Sequence, residues 1–160
     1  SAKTCGGYGI EVVGTSAGAM SNVLVADASN TAFHVETASP FSLSHATLIS
    51  GADPMSCTDP ATKVVNSILS KGGGEGAATL CTVSYSFTSE SGTGNISGDA
   101  RFVSLSTGDY RLQSTSACVD AGQDVVPGGP NPTTDLDGNP RRVKKKTNTN
   151  SADMGAYELQ

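Results

Sequence analysis

His34 and His45 are the only two histidines in the chain, and His34 lies in the run Phe33-His34-Val35-Glu36. That alternation of apolar and polar residues is the mark of a half-buried strand. With Phe33 and Val35 turned inward, His34 and Glu36 face out. Ile10-Glu11-Val12 carries the same pattern 23 positions earlier, so stacking the two runs sets Glu11 beside His34. Glu11, His34 and Glu36 are then a candidate acid/base or sugar-binding patch, because general acid–base work needs titratable groups within reach of one another. The competing reading is three solvated surface side chains. His45 has no evident partner in the sequence.

Three further groups of residues have types that could do chemistry. Arg141, Arg142, Lys144, Lys145 and Lys146 put five of the ten basic residues within six positions, a local patch suited to anionic glycan in an otherwise acidic protein. The alternative is a solvated loop. Asp135 and Asp137 flank Leu136 ahead of Gly138, and paired carboxylates at a glycine turn are hard-oxygen ligands for calcium. The spacing and terminal Glu of an EF-hand loop are missing, which leaves an Asx-type turn as the plainer expectation. Four cysteines, Cys5, Cys57, Cys81 and Cys118, permit three pairings. Cys57–Cys81 is the favoured disulfide, since both flank Gly- or Pro-rich loops, and Cys5 with Cys118 would follow. No CxxC or Cys/His cluster suggests zinc, and no cofactor other than calcium is expected. Gly72-Gly73-Gly74-Glu75-Gly76 has no Lys-Ser/Thr after it and is no phosphate loop; it reads as a flexible excursion.

The elements that must carry these residues follow from composition. The chain holds 21 Ser, 17 Thr and 19 Gly, with 5% aromatics and no Trp. Ser, Thr and Gly are poor in helix interiors, so a helical bundle is excluded. Charged residues at 16% and a net charge of −5 are too few for a disordered chain. A pI near 4.8 does not suit nucleic acid. No window approaches ~18 consecutive apolar residues, so no membrane span is expected. The stretch after Ser1 is no apolar leader, although an exported protein would already have lost one.

Short alternating runs recur every 20–25 residues with no helical pattern between them: Ile10–Val12 and Phe33–Val35 in one series, Val23–Val25, Leu48-Ile49 and Ile68-Leu69 in another. Regular recurrence of this kind indicates a solenoid. A right-handed parallel β-helix fits best, with Ile10 over Phe33 and Val12 over Val35 as interior columns. Asn22 and Asn66 are expected at corners, where Asn and Ser stack as hydrogen-bonded ladders. A β-sandwich is the alternative, but no Asn-Gly or Asp-Gly hairpin turn separates the early runs.

From Asn66 onward a series of motifs follows in order: Val65-Asn66-Ser67-Ile68-Leu69, Val83-Ser84-Tyr85-Ser86, Gly94-Asn95-Ile96-Ser97-Gly98-Asp99, Gly108-Asp109-Tyr110-Arg111-Leu112, Ser116-Ala117-Cys118-Val119-Asp120, Asp135-Leu136-Asp137-Gly138-Asn139-Pro140 and Asp153-Met154-Gly155-Ala156-Tyr157-Glu158. The order resembles the C-terminal region of bacterial exported right-handed parallel β-helix proteins of the choice-of-anchor Q type. Asp99-Ala100 and Ser116-Ala117 depart from that family, which has proline at the second position of each pair. The resemblance implies an all-β solenoid and a secreted or cell-surface location. Together with the repeats, it gives about four coils over residues 1–90 and a C-terminal end and capping segment over 91–160, in one continuous domain. Phe102, Val103, Tyr110, Leu112 and Val119 would cover the open end of the stack, and residues 153–158 would return as a short final strand. The function expected is a non-catalytic stalk, adhesin or glycan-binding surface, partnered by polysaccharide or another surface protein. The alternative is a fragment of a carbohydrate-active enzyme: a polysaccharide lyase, epimerase or hydrolase.

Overall fold

The computed structural model describes residues 7–143 and 151–160. The chain opens with β1 (Ile10–Gly14) and β2 (Gly18–Ala28), then repeats the pair as β3 (Phe33–Thr37) and β4 (Phe41–Ser50). The third coil contains β5 (Met55–Cys57), β6 (Lys63–Val65) and β7 (Ile68–Lys71). After β8 (Gly74–Glu75), a short last coil begins with β9 (Ala78–Thr79) and β10 (Thr82–Ser84). β1, β3, β5 and β9 form one sheet with parallel neighbours throughout. β2, β4, β6, β7 and β10 form the second, to which β8 adds antiparallel to β7. The protein is an all-β parallel solenoid of about three turns, where the sequence spacing suggested about four coils.

The register explains why the stack is stable. Ile10 pairs with Phe33, Phe33 with Met55, and Met55 with Ala78. Val12, Val35 and Cys57 form a second column. Because the step is constant at 22 or 23 residues, alternation turns like side chains to the same side in every coil. Phe33, Val35 and Met55 are fully enclosed in one apolar core with Leu43, Leu48, Val64 and Leu69. Met55-Ser56-Cys57 is a strand that the earlier runs did not single out, although it repeats their pattern.

Corners are made by single residues in the left-handed region. Asn22, His45, Asn66 and Tyr85 have φ of 53°, 52°, 52° and 46°, and each bends its coil from one face to the next. Asn and His tolerate this conformation better than most residues. Just beyond the corner, the Ala46 N–H donates to Ser67 Oγ at 3.1 Å and the Ser67 N–H to Ser86 Oγ at 3.0 Å. Serine hydroxyls thus satisfy the backbone groups that the bend removes from the ladder. Asn66 meets His45 of the preceding coil at 3.1 Å, whereas Asn22 bonds to Thr134 and Arg141. The expected asparagine ladder therefore does not run through both corners, and the repeating bonds are those of Ser67 and Ser86.

The remainder of the chain follows the solenoid down its flank. β11 (Phe102–Ser104) and β12 (Asp109–Leu112) form an antiparallel hairpin. Phe102, Tyr110, Leu112 and Val119 do turn inward, but onto Leu24, Ala26, Ile49 and Ile68 rather than over the end of the stack. Alternation is the cause: Leu48 and Leu69 point into the coil, so Ile49 and Ile68 point out and leave an apolar stripe that must be covered. Val103 is no anchor, being half exposed. Residues 153–158 are irregular and form no strand. Their backbone groups bond to scattered backbone and side-chain partners instead: the Gly155 N–H donates to the Asn66 carbonyl at 2.8 Å and the Ala156 N–H to Thr47 Oγ1 at 2.9 Å. The glycine-rich stretch is an ordered hairpin, with Gly72 and Gly73 at φ of 60° and 101° turning β7 into β8.

Candidate functional site

The in-register pairing of β1 with β3 brings Glu11 directly opposite His34, and Glu36 follows two residues along the same outer face. One donor atom from each of Glu11, His34 and Glu36 lies within 4.8 Å of the other two. The candidate patch of the sequence is therefore a real cluster. His34, however, is not an open surface side chain: it is only 9% exposed. The Tyr8 ring stacks on it, with centroids 4.2 Å apart and planes 13° from parallel. On the next coil Ser56 pairs with His34, and Ser56 Oγ lies 2.7 Å from His34 Nδ1. The imidazole is held by a ring on one side and a hydroxyl on the other, while Glu11 and Glu36 remain exposed. A depression of about 390 Å3 begins at Glu36, lined also by Val13, Thr37 and Thr58. A roomier depression of about 680 Å3 lies against the β11 hairpin. There the Asp99 carboxylate accepts the Arg101 N–H at 2.8 Å.

Tyr8 and Ser56 escaped the sequence reading. Ser56 was legible in principle, since Met55-Ser56-Cys57 repeats apolar–polar–apolar 22 positions after Phe33. Tyr8 carries no such signal, because it precedes β1 and reaches His34 through a stack that only the tertiary arrangement defines.

Arg141 does not belong to an exposed basic patch. Arg141 is buried, at 7% exposure. Its guanidinium donates to Asn22 Oδ1 at 2.8 Å and to the carbonyls of Gly155 and Ala156 at 3.0 and 2.8 Å. It also pairs with Glu158 at 3.6 Å, both side chains being enclosed. A guanidinium offers five donors in a planar fork, which suits it to tie several acceptors together inside a protein. Arg141 fastens the C-terminal segment to the corner column and is unavailable to a glycan. Arg142 is exposed, and Lys144, Lys145 and Lys146 lie outside the described residues.

Asp135 and Asp137 do not converge as a calcium cage. Asp135 Oδ1 accepts the N–H groups of Asp137 and Asn139 at 3.0 and 2.8 Å, and Oδ2 accepts the Glu158 N–H at 3.0 Å. Asp137 Oδ2 accepts two donors of Arg111 at 2.9 and 2.6 Å. One carboxylate builds an Asx-type turn and the other neutralises a cation.

The same region contains groups whose titration is displaced. His45 is buried, and its Nε2 accepts from Asn66 Nδ2 at 3.1 Å. Burial lowers its pKa from 6.5 to about 3, with the positive charges of Arg141 and Arg142 adding to the effect. Burial raises Asp153 from 3.8 to about 7, and the neighbouring Glu158 carboxylate adds to it, against two backbone N–H groups that favour the ionised form. Burial likewise raises Glu158. These groups cement the C-terminal segment onto the solenoid, with Glu158 also bordering a shallow depression beside Arg111, Leu112 and Leu159.

Cys57 and Cys81 form a disulfide, with Cα atoms 5.4 Å apart, as the sequence favoured. Cys118 is fully buried, and Cys5 lies outside the described residues. Among the described residues no helix is long and apolar enough to cross a membrane.

Fold and site together define a class: a parallel β-solenoid, braced along one flank by its own C-terminal segment, with a carboxylate–imidazole cluster on the sheet of β1, β3 and β5. No protein-family model, curated protein or solved structure matches the chain.

Proposed function

We propose that the protein is an exported, non-catalytic β-solenoid module that binds a neutral glycan at the Tyr8–Glu11–His34–Glu36 face. The observation that carries this reading is Tyr8: a ring 41% exposed, braced by His34 from behind, beside two exposed carboxylates. The apolar C–H face of a sugar packs on such a ring at little entropic cost, because the stack already fixes it. Carboxylates accept hydrogen bonds from sugar hydroxyls, and charge-assisted bonds are the stronger ones. With Glu11 and Glu36 at the site and a net charge of −5, uronic-acid polymers are repelled and neutral sugars are favoured. Export, to the extracellular space or a cell surface, is supported by the Cys57–Cys81 bridge, since disulfides persist in oxidising compartments.

The test is binding to an array of neutral and acidic polysaccharides. Wild-type protein is expected to retain neutral glycans, with Tyr8→Ala and Glu36→Gln each weakening retention by about tenfold or more, as loss of a central aromatic or charged contact does. Equal retention by Tyr8→Ala would sink the reading. Release of unsaturated product from a uronic-acid polymer, lost in His34→Ala, would replace it with a lyase.

A further inference from the structure

We propose that Glu11, His34 and Glu36 form a binding site for a divalent transition-metal ion of the zinc class. Three donors of the right kinds converge: one imidazole nitrogen and two carboxylate oxygens, within 4.8 Å of one another. Zinc takes such ligands at about 2.0–2.2 Å, which sets tetrahedral donor atoms about 3.4 Å apart. Rotation of the two glutamates closes the difference, because both are exposed and neither carboxylate is engaged in a hydrogen bond among the described residues.

A second observation points to a ligand independently of the carboxylates. His34 is more than nine-tenths buried. Its Nδ1 is occupied by Ser56 Oγ at 2.7 Å, and Nε2 meets no hydrogen-bonding partner among the described residues. Nε2 is therefore the nitrogen left to meet a ligand arriving from solvent. Metal-ligating histidines typically engage the other nitrogen with an outer hydrogen-bonding group that fixes ring and tautomer, and Ser56 stands in that position. The Tyr8 stack restrains the same ring from the side. Imidazole in the donor set selects zinc, copper or nickel over calcium and magnesium, which prefer oxygen alone. Three protein ligands leave a coordination position open to solvent.

The site shares Glu11, His34 and Glu36 with the proposed glycan face, but its test contains no sugar, so the two readings fail separately. Tag-free protein freed of metal by chelator and dialysis is titrated calorimetrically with zinc chloride and, separately, with calcium chloride. One zinc per chain, bound more tightly than calcium, is the expected result. His34→Gln and Glu36→Gln should each weaken zinc by at least tenfold, and Ser56→Ala by about tenfold, as outer-group substitutions at metal sites do. If His34→Gln does not fold, judged by its circular dichroism, the exposed Glu36→Gln decides. Absence of saturable zinc binding, tighter binding of calcium, or unchanged zinc affinity in Glu36→Gln overturns the proposal.

Discussion

His45 and Asp153 both lie around Arg141, and burial displaces them in opposite directions. The consequences for stability are opposite too. The unfolded chain protonates His45 at 6.5 while the folded chain holds it neutral down to about 3. Between those values the unfolded state binds more protons, so this group makes stability rise with pH. The folded chain keeps Asp153 protonated up to about 7, against 3.8 for the free side chain. There the folded state binds more protons, so stability falls as pH climbs from about 4 to about 7. The raised Glu158 acts in the same sense as Asp153. Asp153→Asn should therefore leave the His45 contribution exposed, with urea midpoints that increase from pH 4 to pH 6.5 more steeply than in wild type. His45→Asn should do the reverse, and Asn suits that corner because Asn22 and Asn66 already adopt its φ. Parallel pH profiles for all three proteins would refute the assignment.

At the scale of elements, the solenoid depends on repeating one coil with little variation. β1, β3 and β5 hold the candidate site because their pairing is parallel and in register, so a residue's neighbours come from positions 22 or 23 away. In the third coil the long strand is interrupted: β4 faces β6 and β7 as two pieces separated at Asn66. The Cys57–Cys81 bridge reinforces that end, closing a loop with a separation of 24 residues. A loop of this size contributes about 2–4 kcal/mol, chiefly by restricting the unfolded chain. Reduced wild-type protein and the Cys57→Ala/Cys81→Ala variant are both expected to lose stability of that order in urea unfolding. Because Cys57 also fills the column beneath Val35, the variant should lose somewhat more than the reduced protein. Equal stability with and without reductant would show that the bridge contributes nothing.

On the scale of the whole molecule, two apolar cores share one wall. Leu48 and Leu69 belong to the interior of the coil, and Ile49 and Ile68, one residue away, belong to the second core beneath the C-terminal segment. Polar anchors join the two parts: Asn66 Oδ1 accepts the Gln123 N–H at 2.7 Å, and Asn22 Nδ2 donates to the Thr134 carbonyl at 2.8 Å. Arg141 is the most exacting anchor, because its loss strands the buried Glu158 carboxylate. Removing one partner of a buried ion pair costs about 3–5 kcal/mol. Arg141→Ala should lower stability by that order, whereas Arg142→Ala at an exposed position should stay within about 0.5 kcal/mol of wild type. Similar effects of the two substitutions would contradict the burial that separates them.

Much of the solenoid was written into residue spacing. Alternation within Ile10–Val12 and Phe33–Val35, and the recurrence between them, were enough to place Ile10 over Phe33 and Glu11 beside His34, because the period-2 pleat and a constant coil length are properties of nearby residues. The Asn66 corner was legible from the same spacing, and the Cys57–Cys81 pairing from the Gly- and Pro-rich loops beside both cysteines. Arg141 was not. Its adjacency to Arg142 and three lysines suggested a surface patch, but its partner Asn22 lies 119 positions away, and nothing in a run of basic residues reveals which one is enclosed. The flank covered by Phe102, Tyr110 and Leu112, the Tyr8 ring stacked on His34, and the uses of Asp135 and Asp137 were decided in the same way. Local periodicity determines which side of a strand faces inward. Only the folded chain determines what comes to rest against the side that faces out.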